Sequence, residues 1–493
     1  MRSNNEYLRS ELSPFDRRPM GWSQLMAWVF PNSYELAMAN IGYQWLFGLL
    51  RETQHLLVER VFADRGARPE SLESGRGLGE FPIIALSLPF ELDILNFLGL
   101  LVKAGIPLSA KDRPNGPLII AGGDAITLNP FPFAKFFDAM ILGCGEAWAR
   151  ECPEVLREFP MGLAEKGRVL EEIAKIPGAW IPEFDNGAQI QRSPDIRKGP
   201  AFTPILSSFG HFRNMFLVEL ERGCPFRCGF CSSNWLDRPV HYYTADEILS
   251  VYRSHGQNAA RIGLVGSAVA ESPYLSEIID GFDALGARIS PSSIRFDRID
   301  EGILAKLANA GVRALTFAPE TASEVLGRRV GKWIPPDEIA KYTLRAESMG
   351  FHELKLYWII GLPGETDADV LSIAEAVKKI ASASTISLSG SVNPFTPKPH
   401  TAFEREAMVS DNELKRKFAL LKSALGKTRA KMEFNYSRQS RIAALLSIGG
   451  ADLSETLSEI AHGIGIKTAF SNAGIDLDAP IFAAQNPPWK RIE

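Results

Sequence analysis

Short apolar runs alternate with helical patterns between residues 22 and 148. Runs of about four to eight apolar residues are typical of buried strands, whereas apolar positions three and four residues apart are typical of amphipathic helices. The alternation predicts a parallel sheet flanked by helices, in a first domain that we place at residues 1–175. In order, the segments are WSQLMAWVF, ELAMANIGYQWLFGLL, LVERVFA, PIIALSLPF, ILNFLGLLVKAG, PLIIAGGD and AMILGCGE.

A second alternation occupies residues 205–400. It follows a stretch at 176–204 that is rich in Pro, Gly and polar residues, which is typical of a linker. Helical stretches separate most of its strand candidates, so the pattern predicts a partial (β/α)6 barrel of the TIM type, with its chemistry at the carboxyl ends of the strands. The strand candidates are MFLVELERG, RIGLVG, ARISPSSIRF, RALTFAPE, HELKLYWIIGL and TISLSGSVNPF.

Beyond Pro399 the pattern becomes helical, and we expect a small, mainly helical C-terminal domain at residues 401–493. Ser410 and Glu413 form a capping-box pair at the start of its first helix. One face of this helix is apolar and the opposite face is basic. The basic face either attracts an anionic substrate or cofactor tail, or is an ordinary solvated face. The apolar stripe consists of Leu414, Phe418, Leu421 and Leu425, and the basic residues are Lys415, Arg416, Lys417, Lys422, Lys427 and Arg429.

Composition narrows the class of protein and its partners. The 54 Lys and Arg residues against 58 Asp and Glu residues give a net charge of −4, which does not favour a long nucleic acid as partner. The N-terminal residues have no apolar signal core, and charges interrupt the most hydrophobic stretch, so we expect no membrane segment. Five cysteines, three of them within eight residues, are too few and too clustered for a disulfide framework. We therefore expect a cytoplasmic protein.

The three clustered cysteines carry the most specific chemical signal. Cys224, Cys228 and Cys231 form a CxxxCxxC motif directly after the first strand of the second alternation. One such loop can wrap three thiolates around an iron–sulfur cluster and leave the fourth iron without a protein ligand. A zinc knuckle needs a fourth Cys or His nearby, and His211 and His241 lie outside a tight knuckle spacing. Buried structural thiols, the other alternative, do not need three cysteines on one loop.

The loop resembles the signature of radical S-adenosylmethionine (SAM) enzymes, in which an aromatic residue precedes the third cysteine, as Phe230 does. The resemblance implies a 4Fe-4S cluster whose open iron is chelated by the amino and carboxylate groups of SAM. It also implies reductive cleavage of SAM to methionine and a 5′-deoxyadenosyl radical, with Phe230 packing the adenine.

Other strand ends match the same family. The resemblance places Gly266 and Ser267 at the SAM amino group, Ser293 and Arg295 at its ribose or carboxylate, and Gly361 at the adenine pocket. Glu320 is a further candidate, because a charged group at the inner end of an apolar strand needs a partner or a ligand. The alternatives are strand-to-helix turns for the glycines and a mutual ion pair for Arg295 and Glu320.

Over nearly its whole length the chain is similar to an uncharacterised branch of radical SAM proteins with an N-terminal cobalamin-binding-type, Rossmann-like domain. The resemblance rests on PNSYELAMANIGYQ, SLESGRGL, AGGDAITLNPFPFAKFFDAMILGCGE, KLYWIIGLPGET, PFTPKPHTAFE and the ending PPWKRIE. It implies cobalamin held over the SAM cleft, at the Ser87 strand end and the Gly122, Gly123 turn, and methyl transfer to a substrate carbon radical.

The first strand is followed by VFPNSYELAMANIG and not by DxHxxG, so a histidine ligand to cobalt is excluded at that point. Cobalamin bound without this ligand and a domain that has lost the cofactor both remain open.

We therefore expect an enzyme that generates the deoxyadenosyl radical and remodels a small molecule, with cobalamin-dependent C-methylation as one reaction. An electron donor such as flavodoxin or ferredoxin would be its partner. Only Cys144 and Cys152 remain for auxiliary clusters, which disfavours methylthiolation of tRNA. Cys144 either faces the cleft or is a small buried hydrophobic residue. The alternatives are cobalamin-independent remodelling, RNA modification and non-catalytic cofactor binding. Candidate substrate contacts are Tyr357, Asn393, Lys398 and His400.

Overall fold

The computed structural model describes residues 3–15, 21–22, 24–53, 55–63, 68–159, 166–192, 199–292, 294–295, 299–436 and 438–492. The chain forms two compact units. Unit 1 comprises residues 1–217, 449–475 and 485–493, and unit 2 comprises residues 218–448 and 476–484.

Unit 1 is built around a predominantly parallel sheet. Its main strands are buried along almost their whole length, as expected of a sheet covered on both faces. The strands are β1 (Glu11–Leu12), β2 (Gln24–Phe30), β3 (Leu56–Phe62), β4 (Ile83–Ser87), β5 (Leu118–Gly122), β6 (Ala139–Ile141), β7 (Ala179–Trp180) and β8 (Leu206–Ser207). The sheet order is β3-β2-β4-β5-β6-β7 with β7 antiparallel, while β1 and β8 form a separate antiparallel pair. The predicted Rossmann-like sheet is confirmed.

Helices cover this sheet, and their caps explain where several of them begin. Asn40 accepts a hydrogen bond from the Tyr43 amide at 2.8 Å, and Ser33 caps the preceding helix in the same way. The helices are α1 (Asn4–Arg9), α2 (Tyr34–Ala37), α3 (Ile41–Arg51), α4 (Ile94–Lys103), α5 (Asp124–Leu128), α6 (Gly145–Arg157) and α7 (Lys166–Ile173).

Unit 2 contains the second set of parallel strands. The orders are β13-β12-β9 and β14-β15-β16-β17, and β10 pairs with β11. The Ile294 amide donates to the Thr316 carbonyl at 3.0 Å, which joins the segment after β13 to β14. All six predicted strands are confirmed, and β17 is an additional strand parallel to β16. The strands are β9 (Met215–Glu219), β10 (Glu221–Arg222), β11 (His241–Tyr242), β12 (Arg261–Val265), β13 (Ile289–Pro291), β14 (Ala314–Glu320), β15 (Glu353–Ile360), β16 (Ser387–Pro394) and β17 (Lys431–Phe434).

The predicted helices between these strands are also present. Thr366 and Asp369 form a capping box that begins the longest helix of the unit, and Pro336 stands at the first turn of the helix before it. The helices are α8 (Ser233–Leu236), α9 (Ala245–Val251), α10 (Leu275–Ala284), α11 (Glu301–Asn309), α12 (Glu324–Val330), α13 (Pro336–Ser348), α14 (Asp367–Ala383), α15 (Asp411–Leu425) and α16 (Arg438–Ile448). A π-helical turn, Tyr252–Gly256, extends α9. These β/α units confirm the predicted fold class.

The C-terminal residues are helical as predicted, but residues 401–493 do not form a compact unit of their own. Helices α15 and α16 belong to unit 2, whereas α17 (Leu453–Ala461) and α18 (Ile466–Asn472) belong to unit 1. The Glu413 amide donates to Ser410 Oγ at 3.3 Å, so the predicted helix start is correct. The apolar stripe of α15 is buried.

Three basic residues near the start of α15, Lys415, Arg416 and Lys417, have acidic partners. Lys417 is buried and its Nζ lies 2.9 Å from Glu365 Oε2, so it does not belong to a solvated face. Arg416 pairs with both Asp367 and Glu413. The charges of these three residues are therefore neutralised locally. Among the described residues, no helix has both the length and the apolar character needed to span a membrane.

Candidate active site at the cysteine loop

The cysteine loop follows β9 and β10 in unit 2 and is anchored from two directions. The Gly229 amide donates to the Val330 carbonyl at 2.8 Å, where α12 ends. The Phe403 amide donates to the Gly229 carbonyl at 2.9 Å, which ties in the segment after β16. The Asn234 side-chain amide donates a hydrogen bond to the Cys224 carbonyl at 2.7 Å. The loop backbone is therefore fixed by residues distant in sequence.

The three thiols lie within electrostatic reach of one another. Cys224 is buried, and Cys228 and Cys231 are partly buried. Burial raises the pKa of the Cys228 thiol to about 11, while the nearby Lys332 ammonium opposes the rise; a negative charge on Cys231 would raise it further. Burial likewise raises the pKa of Cys224, again with a contribution from Cys231. Positive charge therefore stands beside the thiols, as thiolate ligands require.

The donor set fits an iron–sulfur cluster by its chemistry. Soft sulfur ligands suit iron, and three thiols on one anchored loop match a cluster with one open iron. Within the described part of the chain, no group of three or more His, Cys, Asp or Glu side chains is arranged to hold a single metal ion. In a cubane each cysteine binds a different iron, so its ligands stand farther apart than those of one ion.

Two charged side chains flank the loop. Glu320 ends β14 with φ +68, and its carboxylate pairs with Lys332 Nζ at 2.9 Å; both side chains are buried. The Arg295 guanidinium lies 4.1 Å from the ring centroid of Phe226, within the cysteine loop. The partner of Glu320 is thus Lys332, which the sequence did not indicate. Ser293, the neighbouring candidate, lies outside the described residues.

Phe230 and Gly361, the two candidates for the adenine pocket, are both close to one apolar cluster, which contains Leu362. Phe230 packs on an apolar cluster formed by Leu326, Val330, Leu362, Phe395 and Phe403. Gly361 has φ +83 and donates its amide to Glu365 Oε2 at 2.8 Å. Its conformation is one that favours glycine, so the turn explains this residue without a ligand.

Glu221 lies at the candidate site, although the sequence alone did not single it out. Its carboxylate accepts a hydrogen bond from the Ala268 amide at 2.6 Å, in the turn that also holds Gly266 and Ser267. A Cβ on Gly266 would lie 2.1 Å from Glu221 Oε1, so only glycine leaves room for this carboxylate. The available signal was an acidic residue in a buried strand end, three residues before Cys224.

The candidate substrate contacts occupy different environments. The His400 ring stacks on Trp235, with centroids 3.3 Å apart and an interplanar angle of 5°, and its φ is +60. His400 is therefore packed against Trp235, in the helix that follows the cysteine loop. Asn393 Oδ1 accepts from Asn435 at 3.0 Å. Tyr357 and Lys398 are both partly buried.

In unit 1 the cobalamin candidates lie at the carboxyl edge of the sheet. Ser87 ends β4 and is paired in register with Gly122. Gly123 has φ +115, and a Cβ there would approach the Leu88 carbonyl oxygen to 2.6 Å. The glycine is thus needed for contact between the chain segments that leave β4 and β5. The order β3-β2-β4 also creates a switch point between β2 and β4, where sheets of this type bind ligands.

The two remaining cysteines are buried in unit 1. Cys144 precedes α6 and is 7% exposed, while Cys152 lies inside the helix within the apolar core. Burial raises the pKa of Cys152 to about 12, as expected of a structural thiol.

Two family models match the chain. Residues 42–182 match the model described as radical SAM proteins, N-terminal, and residues 218–377 match the radical SAM superfamily model. Together the two matches cover more than half of the 493 residues. Both the sheet of unit 1 and the cysteine loop of unit 2 lie largely within them.

Relatives and solved structures agree with this match. An uncharacterized protein of Methanocaldococcus jannaschii is 27% identical over 435 residues, which are 88% of this chain and 90% of the relative. The radical SAM methyltransferase TsrM of Kitasatospora setae gives a TM-score of 0.55 at 14% identity, over 75% of this chain and 73% of that chain. The cobalamin-dependent radical SAM enzyme OxsB with aqua-cobalamin gives 0.52 at 15% identity, over 85% of this chain and 58% of that chain. These structures share the fold, and the family matches give its identity: the chain belongs to the radical SAM superfamily.

Proposed function

We propose that Cys224, Cys228 and Cys231 bind the 4Fe-4S cluster that membership of the superfamily implies. The observation that carries this proposal is the anchored loop, which presents three thiols beside the Lys332 ammonium. Lys332 and Arg295 offset the negative charge that accumulates when three thiolates bind iron. The bound cluster and SAM supply reductive cleavage to methionine and a 5′-deoxyadenosyl radical.

The surrounding residues bind and orient SAM in this proposal. Phe230, on its apolar cluster, would offer a ring face to the adenine, and Gly361 precedes Leu362 of that cluster. Arg295, with Ser293, would take the ribose or carboxylate. The turn with Gly266 and Ser267 would face the amino group of SAM. The ion pair with Glu320 would hold the Lys332 ammonium beside the cluster.

The substrate in this proposal is a small molecule, and the reaction is cobalamin-dependent C-methylation. The fold shared with OxsB and TsrM and the switch point of the unit 1 sheet support it. Cobalamin, when bound, would carry the methyl group. The Ser87 strand end and the Gly122, Gly123 turn would contact it, without a histidine ligand from the loop after β2. A flavodoxin or ferredoxin would supply electrons.

The cysteine assignment is tested by replacing each cysteine with alanine. After anaerobic reconstitution with iron and sulfide, we expect the wild type to bind about four irons per chain. Cys224→Ala, Cys228→Ala and Cys231→Ala are expected to lose most of this iron and its visible absorbance, whereas the control Cys144→Ala keeps both. Full cluster content in any of the three loop variants would contradict the assignment of that cysteine.

The methylation proposal has a separate readout. With SAM, dithionite and added cobalamin, the wild type is expected to form S-adenosylhomocysteine together with 5′-deoxyadenosine. If 5′-deoxyadenosine forms but S-adenosylhomocysteine never depends on cobalamin, the enzyme performs cobalamin-independent radical chemistry instead.

A further inference from the structure

Strand β15 has two faces of different character. Its even-numbered residues from Leu354 to Ile360 are almost fully buried, whereas the odd-numbered residues between them are only partly buried. Successive side chains of a strand point to opposite faces of the sheet, so the odd-numbered residues share one face. Ile359 is one of them, and it packs against the same apolar cluster as Phe230, the residue before Cys231. This face, which we call the inner face, therefore leads to the cysteine loop.

The inner face carries a row of polar side chains across four neighbouring strands. Hydroxyl and ammonium groups alternate along this row. In order from β14 to β17, and paired in register at each step, its members are Thr316, Lys355, Ser389 and Lys431. The other face of β17 packs on α15, where the rings of Phe434 and Phe418 have centroids 6.0 Å apart. Lys431 therefore lies on the inner face, as the register indicates.

Neither lysine of the row forms an ion pair with a carboxylate in the described part of the chain. The Lys355 ammonium instead lies 5.3 Å from the ring centroid of Tyr357, so it leans toward the carboxyl end of β15 and away from Glu353. A ring face attracts a cation but does not neutralise its charge. Glu353 and Glu433, the carboxylates that share the inner face, are both exposed. The two lysine charges are thus available to a ligand.

We infer that this row binds an anionic group, a carboxylate or a phosphate, of the small-molecule substrate. The inference deepens the proposed function and rests on it. Adjacent strands lie about 4.8 Å apart, which puts the Cα atoms of Lys355 and Lys431 about 10 Å apart, on either side of Ser389. Their long side chains can therefore reach one anion placed over Ser389. Ammonium and hydroxyl groups both donate hydrogen bonds, and bonds to a charged acceptor are the stronger class.

The distance of the row from the cysteine loop suits a substrate rather than SAM. Ile359 is four residues beyond Lys355, which corresponds to about 13 Å along an extended strand. A substrate held by its anionic end can therefore extend its other end toward the loop, where the deoxyadenosyl radical would form. Tyr357 lies between the two ends on the same face. In this arrangement the row both selects an anionic metabolite and determines which end of it meets the radical.

Binding of inorganic phosphate to the full chain tests the row without turnover. Line broadening of the phosphate resonance in phosphorus NMR should show saturable binding by the wild type. We expect Lys355→Met and Lys431→Met to bind phosphate about tenfold more weakly, as for loss of one hydrogen bond to a charged group. Lys378→Met is the matched control and should bind as the wild type does, because Lys378 is exposed on α14, outside the row. Competition between acetate and phosphate then identifies which anion the row prefers.

Two results would overturn the inference: no saturable phosphate binding by the folded wild type, or equal binding by the wild type and the lysine variants. Lys431 is exposed, so Lys431→Met keeps the test decisive if Lys355→Met does not fold. Failure of the proposed function is a different result, in which the wild type takes up no cluster.

A second measurement separates the substrate from SAM. Equilibrium dialysis of SAM against the cluster-loaded protein should give affinities within about twofold of the wild type for both lysine variants. A loss of about tenfold in SAM affinity would mean that the row binds the carboxylate of SAM, and it would contradict the inference.

Discussion

Glycines at strand ends have two different roles in this chain, which their residue type does not distinguish. Gly123 leaves room for the backbone of Leu88, and Gly266 leaves room for the carboxylate of Glu221. In both cases the neighbour is distant in sequence, so the sequence indicated a turn but not what occupies the space. The same limit applies to Glu320, whose need for a partner was predictable but whose partner, Lys332, depends on the path of the chain after β14.

Gly123→Ala should destabilise unit 1 even without a ligand. An alanine there would combine φ +115 with a close approach to the Leu88 carbonyl, at an expected cost of about 1–3 kcal/mol. Gly99→Ala is the control, because Gly99 lies inside α4 with no atom within 4 Å of the added Cβ. That change should stabilise the protein by about 0.5–1 kcal/mol. Urea unfolding measures both, and equal stability of the two variants would disprove the packing role.

Asp93 should make unit 1 less stable as the pH rises. Burial raises its pKa to about 6, although the Asn32 amide donates to it at 2.9 Å and opposes the rise. Because the folded protein holds this proton more tightly than the unfolded chain, stability is lost as pH rises from about 4 to about 6.

Asp93→Asn removes this titration and can keep the Asn32 contact. We expect the variant to gain about 1 kcal/mol more over the wild type at pH 8 than at pH 5. Urea unfolding midpoints at the two pH values measure the difference. A gain that does not change with pH would show that burial of this carboxylate does not limit stability.

Elements with strong periodicity were predictable, and short ones were not. The six strands of the second alternation and the cap of α15 follow from local pattern. Strand β17 has only four residues, KMEF, of which two are exposed, so pairing with β16 rather than its own pattern defines it. The cysteine loop was predictable because its three cysteines are close in sequence, whereas its hydrogen bonds to Val330 and Phe403 were not.

Arg441 in α16 should control how residues 476–484 pack in unit 2. Its fully buried guanidinium donates to the carbonyls of Leu477 and Ala479 and, at 2.8 Å, of Val409. Arg441→Met leaves these acceptors unmatched and is expected to cost about 3 kcal/mol. Limited proteolysis should then cut within residues 476–484. Arg438→Met, which alters an exposed guanidinium 3.8 Å from Asp478, should leave the segment protected.

On the scale of the whole molecule, the C-terminal residues belong to both units. Residues 449–475 and 485–493 complete unit 1, and residues 476–484 complete unit 2. Local helical pattern predicted the helices but not this division, because membership of a unit depends on contacts with distant residues. The α/β character of each unit was predictable, since it follows from alternation repeated over many elements.

The proposed function requires that the Cys224–Cys231 loop support reductive cleavage of SAM. The most direct measurement is anaerobic: the reconstituted protein is mixed with SAM and dithionite, and 5′-deoxyadenosine is quantified for the wild type, Cys228→Ala and Cys144→Ala. We predict 5′-deoxyadenosine from the wild type and Cys144→Ala, and none from Cys228→Ala. Equal formation by Cys228→Ala, or none by a wild type with a full cluster, would show that this loop does not support the cleavage.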